Sequence, residues 1–117
     1  MTAVTPNARN HAALGPLDSR HVKVAELPWE KTKFPGVEAK TLIFDKQTGL
    51  LTCLLRMAPG AVLPDHEHML IEQTYVLEGR LVDRDCAVGP GEFVWRPAGS
   101  PHAAHRPEGG LRIAVFL

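Results

Sequence analysis

Cysteine is scarce in this sequence. Cys53 and Cys86 are too few for a disulfide framework and lack CxxC spacing. A single bridge between them stays open as an alternative, and free thiols in a reducing cytoplasm are the expectation. Neither sign of charge predominates: 13 Lys and Arg balance 13 Asp and Glu, with no run of either. The phosphate field of DNA or RNA is ordinarily met by a basic excess, so nucleic acid is not an expected partner. No apolar run approaches the roughly 18 residues of a membrane span. The opening MTAVTPNARNHAALGPLDSRH has no apolar h-region of a signal peptide. A soluble cytoplasmic protein is expected, with no membrane partner. No stretch keeps apolar residues at helical spacing for three turns, and there is no internal repeat.

What remains is the texture of short strands. At 117 residues, 44% of them apolar, the chain has the length of one domain and the material for its core. Residues 1–20 are small, polar and punctuated by Pro6, Gly15 and Pro16; they read as an arm, exchanged with a neighbour or disordered unless something holds it. From His21 onward, HVKVAEL, TLIFD, LLTCLLRM, IEQTYVLEG, RLVDRD, EFVWRP and LRIAVFL alternate with turn residues. Hairpin turns are expected at Gln47–Thr48–Gly49 and Asp83–Arg84–Asp85. Short strands at such intervals predict an all-β sandwich or barrel over residues 21–117.

Two segments concentrate the chemistry. In GAVLPDHEHMLIEQTYVLEG, His66 and His68 are two apart, and the period of a strand puts both imidazoles on one face. Glu72 follows a three-residue turn at the start of a new strand, where its carboxylate can return beside them. In GEFVWRPAGSPHAAHR, a strand runs into the Pro97–Gly99 corner and then presents His102. Three imidazoles and a carboxylate form a nitrogen and oxygen set suited to one divalent ion: Fe(II), Mn(II), Ni, Co, Cu or Zn.

These residues resemble the cupin superfamily. Gly60, five residues, His66-x-His68, three residues, Glu72, six residues and Gly79 match its first motif. Gly91, five residues, Pro97-x-Gly99, two residues and His102 match the second. The resemblance implies a single cupin barrel, a double-stranded β-helix or jelly roll, that binds metal through His66, His68, Glu72 and His102. Some cupin dioxygenases use histidines only, in which case Glu72 orients an imidazole. Cupins often carry Asn four residues after the second-motif histidine, whereas this chain has Arg106. If the strand after His102 is regular, Arg106 shares its inward face and is a candidate catalytic residue that clamps a substrate anion. If the strand ends early, Arg106 sits in water at the mouth.

Parity supplies further expectations. Thr74 and Val76 share the face of Glu72, while Gln73 and Tyr75 face away. Trp95 and Phe93 are expected in the core rather than as a platform for substrate. Cys53 reads as a small buried hydrophobe, Met57 and Met69 as gap fillers, and Arg56, Arg80 and His105 as surface.

Four protein ligands close a tetrahedral zinc site but leave two positions open on six-coordinate iron or manganese, which are therefore favoured. The first expectation is a metal-dependent, dioxygenase-type enzyme acting on a small oxygenated molecule such as a β-diketone, 2-oxo acid or phenol. The alternatives are a non-catalytic metal or ligand sensor and a sugar-acid isomerase or lyase. The stretch APGAVLPDHEHMLIEQTYVLEGRLVD also resembles the cupin domain of ChrR-type anti-sigma factors. The helical zinc-binding domain of those proteins has no counterpart in the first twenty residues, which weighs against direct sigma-factor contact. Small cupins resemble one another in pairing, so a homodimer binding a small-molecule ligand is expected.

Overall fold

The computed structural model describes residues 2–67, 71–83, 87–99, 101–106 and 110–116, with side chains for 2–62, 71–82 and 87–99. The described residues form strands β1 (Glu30–Lys31), β2 (Val37–Asp45), β3 (Leu50–Met57), β4 (Ala61–Glu67), β5 (Glu72–Gly79), β6 (Leu81–Asp83), β7 (Ala87–Val88), β8 (Phe93–Arg96), β9 (Pro101–Arg106) and β10 (Gly110–Phe116). A six-stranded sheet runs in the order β1-β2-β3-β10-β5-β8, and a four-stranded sheet runs β4-β9-β6-β7. All the named pairs are antiparallel. This is the all-β cupin fold that the motifs implied.

Alternation along the strands builds the core. Val37, Cys53, Leu55, Met57 and Val76 from the larger sheet meet Ala61, Leu81 and Val88 from the smaller one in a single buried cluster. Burying a side chain the size of Met57 or Leu81 stabilises the fold by about 1.5–3 kcal/mol. The hairpin expected at Gln47–Thr48–Gly49 is present, whereas Arg84 and Asp85 of the other expected turn lie outside the described residues. Gly49, at φ +81°, closes the turn between β2 and β3, where its N–H donates to the Asp45 carbonyl at 2.8 Å. The strands β6 and β7, on either side of Arg84 and Asp85, pair with each other. The C-terminal run, expected as a paired strand, lies between β3 and β5 as β10.

The N-terminal segment begins beside the far end of β2. Val4 and Phe44 exchange backbone hydrogen bonds of 2.8 Å each, and the Thr5 hydroxyl donates to the Leu42 carbonyl at 2.6 Å. The Thr2 hydroxyl donates to the Asp45 carboxylate. That bond, foremost, holds the Asp45 carboxyl below its ordinary 3.8, against burial and with help from the Gln47 and Thr48 N–H groups.

The segment His21–Leu27, expected as a strand, is instead extended chain around a 3-10 turn at Val24–Glu26. The turn's own bonds use the backbone groups a ladder would need, with Glu26 N–H donating to the Lys23 carbonyl and Leu27 N–H to that of Val24. The Lys40 ammonium completes the strap. Only 7% exposed, it donates to the Val24 carbonyl at 2.9 Å and lies 4.9 Å from the Trp29 ring centre. Arg56, paired with Glu38 at 2.6 Å, stacks over the same ring at 4.1 Å. Two cations on one indole therefore fasten the strap to the outer face of β2 and β3. Lys40→Met removes a charged donor while keeping most of the volume, so a loss of about 1–3 kcal/mol is expected in denaturant unfolding. An unchanged midpoint would show that the strap is held some other way.

Candidate functional site

The two sheets are joined at one end by a pair of short connections. Residues 68–71 carry the chain from β4 to β5, and residues 97–100 carry it from β8 to β9. At this end Glu67 is the Cα partner of Pro101 in one sheet, and Glu72 is the partner of Arg96 in the other. The result is a rectangle of backbone with a cross-strand pair on each of two sides. Pro97 and Gly99 (φ +81°) shape one crossing. Gly91, also at φ +81°, sets up β8, its N–H donating to the Val76 carbonyl at 2.9 Å.

The histidines enter from the smaller sheet. His66 is the Cα partner of His102, after an irregularity in β4 between Leu63 and His66. Directly opposed residues of an antiparallel pair point to the same face. His68 lies outside the described residues, and the side chains of His66, His102 and Arg106 lie outside the described set as well. Among the described residues no three His, Cys, Asp or Glu side chains gather as a metal cluster, and of the four expected ligands only Glu72 has a described side chain.

Glu72 is the described part of the candidate set. It is 3% exposed and shares the inner face with Thr74 and Val76, which are more deeply buried still, while Tyr75 is turned outward. This is the expected parity. The Thr74 hydroxyl donates to Glu72 Oε1 at 3.2 Å, fixing one edge of the carboxylate. Placing an acid this deep is costly unless other groups share its charge. A buried carboxylate on the same rectangle as two opposed histidine positions fits a divalent ion bound by nitrogen and oxygen donors.

The strand β9 continues regularly to Arg106, which is the Cα partner of Ala61, a residue of the core cluster. On β8 the expectation is corrected. Phe93 and Trp95 are 53% and 56% exposed on the outer face, while Val94 packs against the core and Arg96 is 8% exposed. The pairing of Glu72 with Arg96 and of Thr74 with Val94 decides this parity. Three consecutive apolar residues could not, because either face of β8 reads as hydrophobic. Arg96 was hidden by that ambiguity, and its spacing of two from Val94 is the signal that could have found it.

Residues 18–117 match the family described as the ChrR cupin-like domain. No curated protein matches the chain. Among solved structures, an RmlC-like cupin from Shewanella frigidimarina is 22% identical, with 85% of this chain and 90% of that one covered and a TM-score of 0.74. An acetylacetone dioxygenase from Acinetobacter johnsonii is 14% identical over 93% of this chain and 80% of that one, with a TM-score of 0.78. The Rhodobacter sphaeroides complex of SigE with the anti-sigma ChrR contains a chain 22% identical, covering 81% of this chain but 51% of that one, with a TM-score of 0.68. Likenesses at these identities show the fold alone. Thr74→Val tests how far the interior depends on the hydroxyl at Glu72. The loss of a buried hydrogen bond to a carboxylate is expected to lower stability by about 1–3 kcal/mol in thermal unfolding, and wild-type stability would mean that the bond contributes nothing.

Proposed function

Because the chain belongs to the ChrR cupin-like domain family, we propose that it is a metal-binding cupin whose rectangle of paired residues holds one divalent ion and a small oxygenated ligand. His66, His68, Glu72 and His102 are the proposed ligands. The observation that carries the reading is the joining of two cross-strand pairs, His66 with His102 and Glu72 with Arg96, by two short connections. Fe(II) and Mn(II) are favoured over Zn, Ni, Co and Cu, since four protein ligands leave room on a six-coordinate ion. When bound, such an ion supplies Lewis acidity and, for iron, redox chemistry.

The chain's own residues do the rest. Val76, Leu81 and Val88 wall the interior and exclude water. Thr74 holds the Glu72 carboxylate in place. Arg106, four residues along β9 from His102, is the proposed contact for the far end of a substrate. Dioxygenase-type chemistry is the first reading, supported by the shared fold of the acetylacetone dioxygenase. The second, a non-catalytic sensor, is favoured by the family and by the ChrR complex. A cytoplasmic location belongs to the same proposal; no helix among the described residues is long and apolar enough to cross a membrane.

Metal analysis with oxygen uptake on acetylacetone and 2-oxo acids separates the readings. Bound iron or manganese with turnover is the expected outcome, and stoichiometric zinc with no turnover would favour the sensor. Glu72→Gln is expected to lower metal affinity at least tenfold in competition with a chelator, whereas unchanged affinity would remove Glu72 from the ligand set.

The partner we propose is a second copy of the chain. Tyr75 and Phe93 are Cα partners on the outer face of β5 and β8, with Trp95 beside them and Ile71 exposed just before β5. Three half-exposed aromatics and an isoleucine offer roughly 300–400 Å² of apolar surface, about half of what one partner of a stable pair buries. Zero net charge adds no repulsion between copies. Trp95→Glu is expected to convert a dimer to a monomer in light scattering, and an unaltered mass would place the contact elsewhere.

A further inference from the structure

The N-terminal arm encloses a cavity of its own. It measures about 390 Å³ and is lined by residues from Asn7 to Leu27, so it shares none with the proposed metal set. Pockets that hold small ligands run from about 300 to 1,000 Å³. Arg9 and Lys23 stand in its lining, and Glu26 is the one acid there. Leu14, Val22 and Leu27 supply an apolar side. We propose that this cavity is a second ligand site and that it takes a small organic anion. The charged head lies toward Arg9 and Lys23, and the apolar body against Leu14, Val22 and Leu27.

Hydrogen bonds frame the walls at both ends and across the middle. At the start, Val4 exchanges backbone bonds with Phe44, and the Ala8 N–H donates to the Thr5 carbonyl at 3.1 Å. The Asn7 amide donates to the Glu30 carboxylate at 2.8 Å. At the end, the Lys40 ammonium holds the Val24 carbonyl, and Leu27 is 7% exposed. Between them, His11 Nε2 lies 2.9 Å from the His21 carbonyl. A carbonyl only accepts, so that nitrogen donates, and the bond ties one wall to the other. The chain between the walls turns where the Leu14 N–H donates to the His11 carbonyl and the Asp18 N–H to that of Gly15. A site framed in this way has less order to lose when a ligand enters.

Charge selects the class of ligand. Arg9 and Lys23 against Glu26 leave the lining net positive before the imidazoles of His11 and His21 are counted. On a convex surface two such cations are simply solvated. In a cleft with an apolar wall the field is concentrated and draws in a counter-ion. Buried Leu27 and half-buried Leu14 and Val22 make that wall. A guanidinium offers a planar fork to carboxylate or phosphate, and an ammonium offers a compact point charge. Asn10, Ser19 and His21 bring neutral donors for the remaining oxygens. A bare inorganic anion would leave the apolar side in water, and a neutral molecule would gain nothing from the two cations.

The test titrates the full chain with phenyl phosphate, phenylacetate, benzyl alcohol and inorganic phosphate, following backbone amide resonances by NMR. Both aromatic anions are expected to shift resonances within residues 7–27. They are expected to bind roughly tenfold more tightly than benzyl alcohol or inorganic phosphate. The double variant Arg9→Gln, Lys23→Gln is expected to weaken both anions roughly tenfold and to leave benzyl alcohol unchanged. Glu26→Gln is expected to tighten them about threefold, and it carries the test if the double variant fails to fold. Resonances that move only outside residues 7–27 would overturn the proposal, as would equal affinity for benzyl alcohol or for inorganic phosphate. Unchanged anion affinity in the folded double variant, or no tightening in Glu26→Gln, would do the same.

Discussion

The constraint on which this molecule turns is that the chain crosses between its sheets twice at the same end, with four residues for each crossing. Cross-strand pairing on one side of a crossing fixes what can stand on the other. Glu67 is opposite Pro101 and Glu72 opposite Arg96, so a slip in register at either end would break pairs in that sheet. A slip of one residue would also invert the faces, turning Glu72, Thr74 and Val76 to water and Tyr75 inward. The positions that matter chemically are thus held by the same hydrogen-bond ladders that hold the fold. A set of donors on strands is more closely positioned than one on loops.

Much of this was legible in the sequence because glycine, proline and histidine each report a local geometry. Gly60, Gly79, Gly91 and Gly99, the fixed glycines of the two motifs, all have positive φ. Only glycine takes that conformation without strain, and so the motif spacing survived as a pattern of turns. The parity of Thr74 and Val76 was readable because the motif puts Glu72 inward and a strand's period of two carries that face to both. The burial of Cys53 and Met57 followed from an almost wholly apolar strand.

The failures occurred where local pattern carries no parity or where a distant residue decides. In Phe93–Val94–Trp95 either face is apolar, and only pairing with β5, some twenty residues away, selects Val94 and Arg96 for the interior. In His21–Leu27 the alternation is real, but the partner that captures the segment is the Lys40 side chain, not a strand edge.

The two outcomes on β8 are linked. A four-residue strand at the end of the sheet can send only two side chains to each face. Arg96 must be inward if it is to stand opposite Glu72, and Phe93 and Trp95 then have no choice but the outside. An exposed aromatic face is thus the geometric cost of carrying a guanidinium into the interior. Neutral nets of charge and a half-size apolar surface make that face serviceable for a second copy of the chain. The inner and outer faces of this one short strand are therefore set together: Val94 and Arg96 on one, Phe93 and Trp95 on the other.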